Sequence, residues 1–290
     1  MKPLDIALAV AVAVIWGVGF VLTRMAVDEM SSTLLTTLRF GITALPCLFL
    51  PKPKLSWLLI VATSWLLVAQ FLAQTYGMAH GVPAGLTSVI VQSQALFTVG
   101  AAALFLRELP TRQQVAGIAI AMGGLLMICF TVGYDFSVFP FMVLMTAPVS
   151  FAFSNLLLRR AQGVPMLDLF AWISLVALLP LLVVLFGVDG ASTTWQSLTH
   201  VSLKAFACVL FLALVGTTLG YWIWGRLLRD YSAAQVVPFA LLVPFIGAAA
   251  SSVTFGEQFG SLRLAGMIVV VCGIAVMLLS KRPPTLVEVV

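Results

Sequence analysis

Residues 103–124 read ALFLRELPTRQQVAGIAIAMGG, and residues 252–273 read SVTFGEQFGSLRLAGMIVVVCG. Glu108 and Glu257 lie 149 residues apart, as do Ala116 and Ala265, Gly117 and Gly266, and Gly124 and Gly273. One fixed offset thus repeats a glutamate, then a small pair, then a glycine. Both stretches join the end of one apolar segment to the start of the next, so the solvent around those segments decides what the repeat means.

The chain has 290 residues, 62% hydrophobic and 9% charged, whereas a soluble domain carries about a quarter charged residues. That much apolar surface does not fit inside a water-soluble core, so the solvent is lipid. Residues 6–23, 113–134, 136–158, 169–188, 205–225, 231–256 and 264–280 contain no Asp, Glu, Lys or Arg. Each run is close to the roughly 20 residues that carry a helix across a bilayer. The uncharged run 55–106 is long enough for two crossings, broken at His80, Gly81 and Pro83, and 31–50 is a further span interrupted by Arg39. Barrel strands would alternate over about ten residues, which these runs do not. The expected fold is an all-α membrane bundle of ten helices near 5–26, 31–50, 56–78, 84–105, 113–131, 137–158, 167–187, 203–224, 233–252 and 263–280. The first is a span and not a cleaved leader, because its apolar part is long and Thr23–Arg24–Met25 offers no small-residue cleavage site.

With the N-terminus in the cytoplasm, the inner loops hold Lys2, Lys52, Lys54, Arg107, Arg112, Arg159, Arg160, Arg226, Arg229, Lys281 and Arg282. The outer side keeps Arg24, Lys204 and Arg263. The positive-inside rule therefore expects both termini in the cytoplasm, and this bias, not nucleic-acid binding, accounts for the net charge of +5. Five helices separate the repeated stretches. Five is odd, so the second copy enters the membrane from the opposite side, with Glu108 facing the cytoplasm and Glu257 the outside. The expected organisation is two inverted five-helix repeats, 1–131 and 132–290, an architecture from which secondary transporters build two alternately open faces.

The helix ending in Glu and the following AG…G helix, present in both halves, resemble the EamA domain of the drug/metabolite transporter superfamily. Further matching pieces are IWGVGF at 15–20, LRFGITA at 38–44, GVPAGLTSVIVQSQALFTVGAAALFLRE at 81–108 and GTTLGYWIWGRLLRDYSAAQVVPFALLVPFIG at 216–247. The resemblance covers essentially the whole chain. Most members carry a proline where this chain has Gln-Ser-Gln-Ala at 92–95, and the glutamines are most like those of the bacterial O-acetylserine/cysteine exporters. The resemblance implies export of small amino-acid-like metabolites across the bacterial inner membrane by a multi-pass protein.

Candidate pathway residues follow from polarity at depth. Arg39 is the charge deep within a span, where a guanidinium faces the bundle interior or a wet cavity. It either meets a substrate carboxylate, for which its planar fork is suited, or ties the second helix to backbone carbonyls. Gln92 and Gln94 on the fourth helix, and Gln70 and Gln74 at i, i+4 on the third, either bind a zwitterion or bond helix to helix. About 200° separates Gln92 from Gln94 on an ideal helix, so one of the two is expected to face the cavity. Trp16, near the midplane, is a candidate wall or gate. Trp222 and Trp224 read as interfacial anchors, and Tyr221 as either. Ser154 and Asn155 either line the inner vestibule or bind backbone. Pro244 is expected to kink the ninth helix and free a carbonyl, and Glu108 and Glu257 read as structural parts of the repeat. Cys47, Cys129, Cys208 and Cys272 read as free thiols packed as small apolar residues.

No HExxH, GxSxG or phosphate-cradling glycine loop is present, so no cofactor, metal or ATPase chemistry is expected and no enzyme. No intramembrane acid offers a proton relay, and the candidate among side chains that titrate near neutrality is His80, at a loop edge. The coupling ion, the direction of transport and the oligomeric state are not readable. The expected partners are a small, zwitterionic amino-acid substrate and membrane lipid. A competing transport reading is export of drugs or hydrophobic cations, against which stand Arg39 and the lack of a buried acid. An intramembrane enzyme is the alternative of another class.

Overall fold

Peptide groups in lipid have no water to bond, so each apolar run closes its own hydrogen bonds as helix. The computed structural model describes residues 1–131, 136–161 and 163–279, with Ala233 and Ala234 described by backbone alone. The apolar helices are α1 (Pro3–Val27), α2 (Ser32–Leu48), α3 (Trp57–Ala79), α4 (Ala84–Leu106), α5 (Arg112–Cys129), α6 (Val138–Ala161), α7 (Met166–Asp189), α8 (Leu203–Asp230), α9 (Val237–Phe255) and α10 (Ser261–Leu278). Among the described residues, nine are long and apolar enough to span a bilayer, and α2 is shorter. The expected end of the last helix at residue 280, with Lys281 and Arg282, lies outside the described residues. Large apolar side chains cover the outer surface of the helices, among them Leu104, Leu179, Val183 and Val253, all mostly exposed. Cys129 and Cys272 join that outer surface, so they are not packed inside as expected; all four cysteines are free thiols.

Capping side chains set several starts. Ser31 Oγ accepts from Leu34 N at 3.1 Å, Ser202 Oγ accepts from Ala205 N at 3.1 Å, and Thr111 and Gln114 form a reciprocal capping box at the head of α5. α2 stops short of its expected end because Pro46 has no N–H for an α-helical bond, and the chain tightens into a 3₁₀ turn at Leu45–Leu48. α8 runs on to Asp230, beyond the expected 224, and widens to a π-helix at Phe211–Leu219. A polar helix at Ala191–His200, read from sequence as loop, follows Gly190, whose φ of 78° ends α7.

α5 and α10 pack backbone to backbone, and the repeated glycines are the reason. A Cβ on Gly117 would stand 2.7 Å from Gly273 O, and one on Gly124 2.7 Å from Gly266 O. From the other side, a Cβ on Gly273 would stand 2.7 Å from Gly117 O and one on Gly266 2.9 Å from Gly124 O. The helices are antiparallel, and exchanging residues 149 apart maps the contact Gly117–Gly273 onto Gly266–Gly124. Small residues let membrane helices approach this closely and supply the dispersion contacts that bind them without a hydrophobic driving force. α2 likewise packs on α7, and α4 on α9, each against the helix five places on. α4 and α9 end alike, on left-handed residues 149 apart: Arg107 at φ 57° and Gly256 at φ 66°. The two glutamates follow immediately.

Candidate functional site

A cavity of about 570 Å³ lies between the halves. Its deep wall includes Thr23, Arg39 and Phe71, and its lining runs to Arg159 and Leu228 at the end of the bundle that carries the N-terminus. The opposite end is tied shut by carboxylates. Glu257 Oε1 and Oε2 accept from Ala84 N (2.8 Å) and Gly85 N (3.1 Å), the first free donors of α4. Glu29 accepts from Ser202 N and Oγ at 3.2 and 2.9 Å, and Asp189 accepts from the hydroxyls of Ser31 and Thr33. Arg24 pairs with Asp28 at 3.2 Å and donates to Met78 O. At the mouth, Arg159 Nη1 donates to both oxygens of Glu108 at 2.9 Å.

Arg39 is held by the π-segment of α8. There Thr217 Oγ1 donates five residues back to Leu212 O at 2.9 Å, and its lone pairs accept from Arg39 Nε and Nη2 at 3.1 and 3.0 Å. The guanidinium carbon stands 4.4 Å above the centre of the Phe71 ring, a cation–π contact. A guanidinium has five N–H donors, so most of the fork is left without a protein acceptor among the described residues. Among the described residues, no Asp or Glu lines the cavity. The same π-segment offers Gly216 O to Trp16 Nε1 at 2.9 Å. Trp16 sits between Tyr221 and Trp224, with ring centroids 5.4 and 5.2 Å away, and Tyr221 stacks on Phe170 at 3.8 Å. Trp224 therefore faces inward and lines the cavity, where sequence suggested an interfacial anchor; Trp222, two positions before it, is exposed.

Gln70, Gln74, Gln92, Gln94 and Asn155 all line the cavity, together with Trp16, Arg39 and Tyr221. Ser154 does not: it is fully buried, with its hydroxyl unpartnered among the described residues, about 100° around α6 from Asn155. Asn155 Nδ2 donates to Thr98 Oγ1 at 3.2 Å. Both Gln92 and Gln94 face the cavity, contrary to the expectation of one. α4 is interrupted at Ser93, whose N–H bonds back three residues to Ile90 O at 3.0 Å, while Leu96 N bonds to Ser93 O at 2.9 Å. A three-residue turn advances about 120° per residue, which narrows the angle between the two glutamines from about 160° to about 120°. Pro244 has no N–H for Ala240 O, and Gln92 Nε2 donates to that oxygen at 2.7 Å.

Sequence reasoning passed over Thr217 and Phe71, which hold Arg39, and Thr98. The two threonines were visible as polar residues inside apolar runs. Phe71 carried no signal, because an aromatic in a membrane helix is ordinary.

The family model for the EamA-like transporter family matches this chain twice, at residues 4–130 and 139–279. A probable amino-acid metabolite efflux pump of Salmonella typhimurium (strain LT2) is 33% identical over 94% of each chain. Its Escherichia coli (strain K12) counterpart is 30% identical over 97% of each. A probable terminal-alkyne amino-acid exporter of Streptantibioticus cattleyicolor is 30% identical over 71% of this chain and 67% of that one. A solved crystal structure shares the fold with a TM-score of 0.66 and 13% identity, covering 95% of this chain and 96% of the other. An all-helical bundle matched by the family model along both halves is thus a multi-pass membrane protein, and the chain belongs to the EamA-like transporter family.

Proposed function

We propose that this protein is a secondary exporter of small amino-acid-like metabolites, O-acetylserine and cysteine among them, in the bacterial inner membrane, and not an enzyme. Ten helices cross the bilayer as two inverted repeats, 1–131 and 132–290, with both termini in the cytoplasm. The observation that carries the reading is the cavity itself. Among the described residues its deep wall holds a guanidinium with free donors, neutral amides and aromatic faces, and no acid, which suits a carboxylate-bearing zwitterion and not a hydrophobic cation. The amino-acid names of the similar pumps and exporter point the same way.

The antiparallel Gly117–Gly273 and Gly124–Gly266 contacts, which exchange with one another, support the inverted repeat. With the N-terminus inside, the cavity opens to the cytoplasm and the Glu257, Glu29 and Asp189 ties close the outer face, the loading state of an exporter working by alternating access. Counterflow in proteoliposomes, with a panel of amino acids and cationic dyes, tests the substrate class. Amino acids should exchange and dyes should not; dye exchange alone would replace this reading with drug export. Topology is tested separately on a cysteine-free background. Cysteines at Ser31, Ala191 and Gln258 should react with an impermeant thiol reagent applied outside, and those at Lys52 and Arg160 should not.

A further inference from the structure

The polarity of the cavity wall is set by a chain of hydrogen bonds that starts at a proline. Pro244 cannot donate to the carbonyl of Ala240, and Gln92 Nε2 does so at 2.7 Å. A carbonyl only accepts, so Gln92 must turn its NH₂ toward it and its Oε1 away. Gln94 Nε2 donates to that Oε1 at 3.5 Å. Gln94 is then compelled to present its own Oε1 elsewhere, and that oxygen is buried and accepts from none of the described residues. A second buried oxygen without a donor, Gln70 Oε1, belongs to another cavity-lining amide, on a side chain only 5% exposed.

Buried acceptors left unsatisfied are costly, and a ligand that supplies the donor recovers that cost. We propose that Gln94 Oε1, with Gln70 Oε1 beside the same cavity, is the subsite for the ammonium group of the substrate, and that Gln92 and Pro244 are positioning residues that fix its polarity. The inference rests on the exporter reading above and deepens it. Arg39 supplies fixed positive charge for the carboxylate, while the amine is met by neutral oxygens and not by an acid. A free amine is therefore repelled by Arg39 with no anion to compensate, and a carboxylic acid without an amine leaves the glutamine oxygens unpaired. The site selects molecules that carry both groups.

The test uses three matched compounds as competitors of labelled L-cysteine counterflow under reducing conditions: L-cysteine, 3-mercaptopropionate, which lacks the amine, and cysteamine, which lacks the carboxylate. Wild-type protein should prefer cysteine to 3-mercaptopropionate by about tenfold to a hundredfold, the worth of a hydrogen bond to a charged group. Gln94→Leu should bring that ratio close to one by weakening cysteine and leaving 3-mercaptopropionate within about twofold. Gln92→Leu should lower the ratio in the same direction, although Gln92 itself meets no substrate in this scheme. Gln94→Glu should strengthen cysteamine about tenfold, by placing an anion where the oxygen was. An unchanged ratio in both leucine variants, with cysteine still carried, overturns the relay alone. Absence of cysteine exchange by the wild-type protein overturns the exporter reading as well.

Discussion

α4 and α9 end in the same backbone built from different residues. At C-terminal positions 149 apart, α4 places Arg107 at φ 57° and α9 places Gly256 at φ 66°. Left-handed backbone suits glycine, whereas a residue with a Cβ pays roughly 1–2 kcal/mol there. The glutamates that follow differ as well: Glu257 caps the first peptide groups of α4, and Glu108 takes Arg159 at the cavity mouth. Within the helices, the same offset sets Gln94 and Ala95 of α4 against Val243 and Pro244 of α9. Positions that agree between the halves, the glycines of α5 and α10 above all, hold the helices together. Positions that disagree make the cavity, since the proline of α9 frees a carbonyl and a glutamine of α4 takes it.

The largest effect should come from breaking what the halves share. Gly124→Leu or Gly273→Leu would force side-chain atoms into the facing backbone, and the cost should reach the upper end of overpacking, about 3 kcal/mol or more. Thermal melting in detergent, followed by size exclusion, should register it as loss of the monodisperse peak. Gly123→Ala, with open space around its Cβ, should instead hold or gain up to about 1 kcal/mol. Similar melting for Gly123→Ala and Gly124→Leu would mean that the backbone contact is absent.

The glutamates come next. Glu257→Ala should cost about 1–2 kcal/mol through two lost caps at a helix N-terminus. A double-mutant cycle on Glu108 and Arg159, both about a third to two-fifths exposed, should give a coupling below about 1 kcal/mol. Equal values at the two ends would erase the difference drawn between them. One change of similar size has the opposite sign: Arg107→Gly should stabilise by about 1 kcal/mol, making α4 end as α9 does. A lower melting temperature for that variant would show that the Arg107 side chain contributes more than its backbone costs.

The glycines of the scaffold were legible because backbone contact needs one residue type at a fixed spacing, and Arg39 and the glutamines because polarity in lipid is conspicuous. Orientation of those groups was not. The separation of Gln92 and Gln94 assumed an unbroken helix, and Ser93 breaks it. The π-segment of α8, which presents Thr217 to Arg39 and Gly216 to Trp16, leaves no periodic mark in a run that is apolar on every side. For the same reason nothing in the sequence separated the inward Trp224 from the outward Trp222, or the cavity-lining Asn155 from the buried Ser154.

Arg39 as the carboxylate partner is the central claim, and replacement by lysine tests it most directly. Arg39→Lys keeps the charge and loses the planar fork, along with the paired bonds to Thr217. Competition against L-cysteine counterflow should show cysteine and 3-mercaptopropionate weakened together by about tenfold or more, with cysteamine unchanged, in a protein whose melting temperature is close to wild type. A variant that melts much earlier while ranking the three compounds as the wild type does would contradict the account and leave Arg39 as a brace between α2 and α8.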